Sequence, residues 1–233
     1  MTAYTVTATS NVTNLTNGIL LRVKVLTGAA SVASQVGAVK TAAAGVTPFY
    51  DQSVTTTVTG SVVYGVIADG VNNNSFTADA QTTLFDNVGD NVQGCQYGTF
   101  RATSATGTPG PTTLGSTTTA SDHGSYAAVE ILAAGTIAEN ASSPAPVSIF
   151  TASTVTTASF TPPAGSLLVA MVANCSGGGS TPAPAITDNS GGTLTWTQLV
   201  FFSDASGTTA GVWVAAVPGG SAPFPYVPQL LPN

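Results

Sequence analysis

The stretch Leu21-Arg22-Val23-Lys24-Val25 alternates apolar and charged side chains with a period of two. Successive side chains of a β-strand point to opposite faces, so this pattern predicts a strand with Arg22 and Lys24 together on a wet face. Similar short runs of Val, Ile, Thr, Tyr and Phe, bounded by Gly, Pro, Asn, Asp or Ser, recur along the whole chain. The sequence therefore predicts an all-β protein, built as one or two β-sandwich modules of jelly-roll or immunoglobulin-like type.

Further strand patterns support that prediction. The runs 54–58 and 61–68 are expected to form a hairpin that turns at Thr59-Gly60. Arg101 and Glu130 lie within two other strand-like runs, and we expect both side chains to point outward. No segment sustains an apolar period of 3.6 residues with capping residues, so no helix is predicted. The Ala-rich stretches 39–46 and 129–134 come nearest to one.

The scarcity of charge excludes several classes of function. Only 6% of the 233 residues are charged, against roughly 25% in ordinary globular domains, and there is a single histidine. Acid–base catalysis, metal binding and nucleic-acid binding all draw on ionisable side chains. Four basic residues in a chain of net charge −6 cannot neutralise many phosphates. We therefore expect a protein that is not an enzyme, takes no cofactor or metal and binds no nucleic acid.

Individual motifs give no stronger sign of chemistry. His123 follows Asp122 directly, and neighbouring residues of an extended chain point to opposite faces, so a catalytic triad with Ser125 is not expected. Glu130 and Glu139 are the only glutamates, and no two acids have the spacing of a catalytic pair. The oxygen-rich stretch 86–91 is predicted to be a turn rather than a calcium site, because it lacks the ligand set of an EF-hand loop.

Membrane insertion and a disulfide can be judged from the sequence in the same way. No apolar run reaches the roughly 18 residues that a membrane helix needs, and the N-terminus lacks the pattern of a secretory signal. We expect no membrane insertion. Cys95 and Cys175 could pair, but two cysteines in a chain of this size more often stay free and buried.

Composition divides the chain into four parts. Residues 1–134 are predicted to form a β-sandwich module, and 135–153, with Pro144 and Pro146, a linker or crossing segment. Residues 154–217 then form a second β module or a complementing half. A weak internal repeat links the parts, since a Gly-Ser pair precedes an apolar strand both at Gly60-Ser61 and at Gly165-Ser166.

The last part, 218–233, is a proline-punctuated arm. Proline removes backbone donors and fixes φ, so the arm is predicted to be extended. Its apolar side chains are expected to dock either on its own domain or on a neighbouring subunit, and we favour the neighbouring subunit. Trp196 and Trp213 lie in strand-like runs whose default role is core packing, although exposed aromatic rings also make interface hot spots and carbohydrate platforms. The predicted interaction residues are Phe224, Tyr226, Val227, Leu230, Leu231, Trp196 and Trp213.

Several segments together resemble a known family. They are Phe160-Thr161-Pro162-Pro163-Ala164-Gly165-Ser166-Leu167-Leu168-Val169-Ala170, Gly192-Thr193-Leu194-Thr195-Trp196-Thr197 and Ala210-Gly211-Val212-Trp213-Val214-Ala215-Ala216, with Leu20 to Ala29, Gly60 to Val66 and Gly124 to Leu132. The chain looks like the β-rich minor tail proteins of siphophages that infect actinobacteria, over about two thirds of its length. The half with Pro162-Pro163 follows the Leu20 half instead of preceding it, so either the module is permuted or two incomplete modules complete one another.

The resemblance implies a structural role without catalytic residues. We expect a virion component, in particular of the tail, made in the host cytoplasm and assembled as a homo-oligomer with other virion proteins. Two alternatives stay open: a capsid (head) decoration protein, and a receptor adhesin that binds a host cell-surface glycan.

Overall fold

The structure is a computed structural model that describes residues 2–11, 18–35, 37–43, 50–70, 75–90, 94–118, 123–176 and 179–219. Within these ranges it contains one 3₁₀ turn, Val32–Ser34, and sixteen β-strands, all paired antiparallel. The prediction of an all-β protein is confirmed.

The strands are, in chain order, β1 (Val6–Thr9), β2 (Ile19–Ala29), β3 (Val39–Ala43), β4 (Asp51–Thr55), β5 (Val62–Asp69), β6 (Thr82–Asp90), β7 (Cys95–Ala102), β8 (Pro111–Gly115), β9 (Gly124–Ile131), β10 (Ala133–Glu139), β11 (Val147–Ile149), β12 (Thr154–Thr156), β13 (Leu167–Cys175), β14 (Ala185–Asp188), β15 (Thr197–Ser203) and β16 (Thr208–Ala216).

These strands form three larger sheets and one ribbon. The outer sheet has the order β12-β1-β14, and the central sheet has the order β10-β2-β13-β16-β15, with β11 also paired to β2. The five-stranded sheet has the order β3-β9-β5-β7-β6, and β4 and β8 form a separate two-stranded ribbon.

The central sheet is covered on both faces. On β13, the side chains of Leu168, Ala170 and Val172 pack toward the outer sheet. Those of Val169 and Met171 alternate with them and pack into the core shared with the five-stranded sheet. Strands buried on both faces read as continuous apolar runs instead of alternating ones, which explains why every residue of β13 is buried. The molecule is therefore a three-layer β-sandwich.

This layering corrects the expectation of a wet face on β2. Val23 and Val25 do share one face, toward the outer sheet. The opposite face, with Arg22 and Lys24, looks into the interface with the five-stranded sheet, where both side chains are only about a tenth exposed. The alternating pattern correctly predicts a strand, but a period of two does not show whether its polar face meets water or a second sheet.

The expected hairpin of 54–58 with 61–68 is wrong, although the chain does turn there. Gly60 has a φ of +82°, and the Ser61 amide donates to the Val58 carbonyl over 3.3 Å. The strands on either side of this turn belong to different sheets, because β4 pairs with β8 while β5 pairs with β7 and β9. The described parts of the Ala-rich stretches are strands.

Strand pairing crosses the predicted boundary between 1–134 and 154–217. β2 pairs with β13 in a continuous register from Leu26↔Leu167 to Ile19↔Asn174, and β1 lies between β12 and β14. Within 135–153, most of β10 and all of β11 lie along the edge of β2. The N-terminal strands thus complete the C-terminal sheets within one chain.

The weak internal repeat falls at matching places in two sheets. β5 and β13 are the middle strands of the five-stranded and central sheets, and each follows a glycine of positive φ, Gly60 or Gly165. Their antiparallel partners β9 and β16 occupy the same position beside them.

Candidate interaction surfaces

Most of the chain's cations lie between two layers. Arg22 forms a two-pronged ion pair with Asp86 on β6, with Arg22 Nε 2.8 Å from Asp86 Oδ2, and the Thr99 hydroxyl donates to the same carboxylate. Lys24 Nζ lies 2.8 Å from Glu139 Oε2 and 3.7 Å from the centroid of the Phe85 ring. The prediction of a turn over 86–91 is wrong for residues 86–90, which belong to β6, and Asp86 is buried there. Asn91 lies outside the described residues.

Arg101 joins the same cluster from the five-stranded sheet. Its Nε atom lies 3.0 Å from Glu139 Oε1, so one carboxylate on β10 receives two cations. The Tyr64 hydroxyl also donates to Glu139, over 3.3 Å. Burial, then the negative charge of Glu139, raises the pKa of Tyr64, which keeps this phenol neutral. Arg101 was expected to point outward, and its side chain is about a third exposed.

Glu130 was also expected to point outward, and this expectation is wrong. Its side chain is fully buried on β9 and accepts hydrogen bonds from three backbone amides, those of Ala38, Thr57 and Val58. The hydroxyls of Thr57 and Ser61 donate to it as well. Burial by itself raises the pKa of Glu130, but the donors from Ser61 and the three amides outweigh it, and the net pKa lies below the usual value.

A further carboxyl pair was missed in the sequence. Asp51 on β4 and Asp79 both flank Gly115 of β8: Asp51 is its register partner, and the Asp79 amide donates to its carbonyl over 3.3 Å. Burial, then the hydrogen bond and the charge of Asp79, raises the pKa of Asp51 to about 6. The two acids are 28 positions apart, and only the pairing of β4 with β8 brings them together.

His123 contacts a serine that the sequence did not suggest. Its Nδ1 atom lies 2.5 Å from the Ser206 hydroxyl in an exposed position. Ser125, the neighbour considered for catalysis, instead bonds the carbonyl and hydroxyl of Thr208. Asp204 is engaged in its own turn, where it accepts the amides of Ser206 and Thr208. Asp122 lies outside the described residues. This arrangement ties two loops together.

The two cysteines are buried and free. The Cys175 amide and the Tyr97 hydroxyl both bond the carbonyl of Gly18, over 3.3 and 3.1 Å, and Cys95 lies two residues before Tyr97 on the same face of β7. Burial, then the neighbouring Cys95, raises the pKa of the Cys175 thiol well above its usual value. Among the described residues, no group of three or more His, Cys, Asp or Glu could hold a metal ion.

With these charges turned inward, the described exterior is dominated by small and hydroxyl-bearing residues. Only two large hydrophobic side chains are exposed on it, Val39 at 55% and Ile149 at 39%. The outward face of the outer sheet is a threonine array. Thr7 pairs with Thr156 on one side and Thr187 on the other, Thr9 lies opposite Thr154, and the Thr7 and Thr156 hydroxyls are 2.9 Å apart.

The two tryptophans occupy different environments. Trp213 is 5% exposed in the core between the central and outer sheets, with its ring over Gly211 and its centroid 6.3 Å from that of Phe201. It therefore offers no surface to a partner. Trp196 is partly buried, and its indole N–H donates to Asp188 Oδ2 over 3.0 Å at the edge of the outer sheet.

The predicted arm residues Phe224, Tyr226, Val227, Leu230 and Leu231 lie outside the described residues. The described chain reaches Gly219, at the rim of a groove of about 410 Å³ at one end of the central sheet. The groove is lined by small residues of the β2 and β10 segments, among them Ala29, Ala134 and Gly135, and by Leu167 and Val217.

Comparison with known proteins adds no further constraint. No family model, no curated protein and no solved structure matches the chain. Within the described residues, no helix has the length and apolar character to cross a membrane. The function must therefore be inferred from the chain's own residues.

Proposed function

We propose that the chain is a structural protein of a phage virion, in particular a minor tail protein, which acts through contacts with copies of itself and with other virion proteins. The observation that carries this proposal is that most of the few basic residues are taken up in ion pairs, which leaves the exterior poor in charge. Arg22, Lys24 and Arg101, three of the four basic residues, are paired with Asp86 and Glu139 at the interface between two sheets.

An exterior poor in charge suits a surface that is covered in an assembly. The cores of permanent interfaces are depleted of charged residues, whereas freely diffusing proteins rely on surface charge to stay apart. Edge strands add a second means of contact. β3, which carries the exposed Val39, and β15 are the edges of two neighbouring sheets. The unpaired backbone groups of an edge strand readily pair with another chain.

Antibody labelling of virions that carry this sequence tests the proposal. Purified particles are labelled with a gold-conjugated antibody against the chain and viewed by electron microscopy, with particles lacking the gene as the control. Gold along or at the tip of the tail is the expected result. Gold confined to the capsid would replace the tail assignment with that of a head decoration protein. Particles that carry no label and no peptide of the chain by mass spectrometry would overturn the virion assignment.

A receptor adhesin is the second candidate, and the outer sheet favours it. Trp196, partly exposed and held by Asp188, lies at the edge of the sheet that presents the threonine array. Aromatic faces beside hydroxyl groups are suited to sugar rings. A glycan array probed with the purified protein tests this role. Binding that Trp196→Ala abolishes and Trp196→Phe largely retains would support it, and a blank array would eliminate it.

A further inference from the structure

We propose that the groove beside Gly219 receives the apolar arm of a second copy of this chain. The inference rests on the proposed function, because it specifies one of the contacts by which the subunits would assemble. The groove lies between the ends of β2, β10, β13 and β16. The proposed occupant is residues 220–233 of the second copy.

The shape of the groove depends on a bulge in β10. Ala133 pairs with Ala29, but the next pair is Ala138 with Thr27, so residues 134–137 of β10 stand opposite the single residue Gly28 of β2. Bulges of this kind re-aim backbone next to functional sites. Gly28 makes the close approach possible: its φ is +74°, and a Cβ there would lie 2.0 Å from the Thr136 carbonyl oxygen. The bulge in β10 therefore forms one side of the groove at this end of the central sheet.

The chemistry of the groove matches that of the arm. Its lining carries no charged side chain, and Leu167 and Val217 are buried beside it. The arm likewise carries no charged side chain, but it carries Phe224, Tyr226 and two leucines. Removing these large apolar side chains from water favours their burial in such a groove. Ser166 adds an unmet polar group, because its buried hydroxyl has no hydrogen-bond partner in the described part of the chain.

The place where the arm begins favours docking in the groove of a second copy over docking in the groove of the same chain. Pro218 and Gly219 are themselves part of the groove lining, so the arm leaves from the rim. Prolines at 223, 225, 228 and 232 favour an extended segment over one that folds back on the rim from which it starts. In a two-fold pair each copy would place its arm in the other's groove, which closes the contact without leaving a free arm.

The experiment uses a chain truncated after Gly219 and a fluorescent peptide of residues 220–233. Fluorescence anisotropy should show saturable binding of the peptide to the truncated chain. Gly135→Trp fills the groove, and Gly110→Trp is the matched control, because a Cβ at either glycine meets nothing within 4 Å. We expect Gly135→Trp to weaken binding about tenfold or more and Gly110→Trp to leave it unchanged. Equal melting temperatures of the two variants verify that both fold.

Sedimentation of the full-length chain distinguishes exchange from self-docking. We expect an oligomer that both truncation and Gly135→Trp dissociate. No peptide binding, or binding that Gly135→Trp leaves intact, would overturn the groove assignment. Peptide binding combined with a monomeric full-length chain would overturn exchange, since the arm would then fill its own groove. A full-length oligomer that resists both changes would also overturn this inference, while self-assembly through other surfaces would stand.

Discussion

The carboxylate of Glu130 accepts a 2.6 Å hydrogen bond from the hydroxyl of Ser61, which lies 69 positions earlier in the chain. The same carboxylate accepts the amides of Thr57 and Val58, in the connection from β4 to β5, and that of Ala38 before β3. One buried anion therefore holds two connecting segments against β9. Its negative charge is satisfied by oriented N–H and O–H dipoles instead of a cation.

We predict that Glu130→Gln destabilises the fold by about 3 kcal/mol, because hydrogen bonds to a charged group contribute roughly 1.5–3 kcal/mol and a buried amide would turn its own N–H donors toward other donors. Urea unfolding at pH 7 measures this loss. Thr187→Ala, on the outward face of the outer sheet, is a matched control that should change stability little.

The acid dependence of the same site follows from the direction of its pKa. A folded-state pKa below the usual value of 4.5 gives stability that is present above pH 4.5 and is lost as the pH falls through the folded value. The wild type should lose stability in acid more steeply than Glu130→Gln. Parallel pH profiles for the two proteins would contradict the role assigned to this carboxylate.

The contribution of Asp51 to stability should change with pH in the opposite direction to that of Glu130. Its pKa is raised to about 6, so its protonated form stabilises the fold below the usual value of 3.8, and that contribution is lost as the pH rises through about 6. We predict that Asp51→Asn is more stable than the wild type at pH 7 and that the advantage disappears near pH 4. Chemical unfolding across this range measures it. Asp79→Asn should also raise stability at pH 7, because it removes the charge beside Asp51. A stability gain that increased as the pH fell would contradict the interaction between Asp51 and Asp79.

The ion pair of Arg22 and Asp86 gives a further prediction. Arg22→Met leaves the buried Asp86 carboxylate without its cation, which should cost about 3 kcal/mol, the lower end for a broken buried pair. Adding Asp86→Asn removes the stranded charge and keeps an acceptor for the Thr99 hydroxyl. The double variant should therefore recover more than half of the loss. Equal stabilities of the single and double variants in urea would show that the pair contributes no net charge interaction.

The thiols provide a test of the core. Cys95 and Cys175 are buried, and burial raises the pKa of the Cys175 thiol, so the reactive thiolate is scarce and shielded. We predict that the native protein reacts with Ellman's reagent only at the rate of unfolding and that two thiols react at once in denaturant. Immediate reaction of the native protein would place at least one thiol on the surface.

Local pattern allowed the strands to be predicted but not their layers. The alternation of β2 and the apolar run of β13 both mark strands, because side-chain direction depends only on the local backbone. Whether Arg22 faces water depends on the second sheet that covers it, and in that sheet its partner Asp86 lies 64 positions later in the chain. The position of a charged residue in a strand therefore does not reveal whether it is paired inside the protein.

The same limit applies to the site residues. Glu130 lies in an apolar strand, and three of its hydrogen-bond donors are backbone amides. Every residue type except proline has such an amide, so the sequence does not mark these donors. Asp51 and Asp79 meet only through the pairing of β4 with β8. Trp213 could be assigned to the core by its apolar neighbours, whereas the groove beside Gly219 depends on a register break in β10 that no sequence motif marks.

The central claim is that this chain works by joining other chains through an exterior poor in charge. Sedimentation of the purified full-length protein over a wide range of concentration, at physiological salt, tests it most directly. We predict a defined oligomer that persists when salt is raised, because the contacts do not depend on ion pairs. A protein that sediments as a monomer at every concentration would contradict the claim.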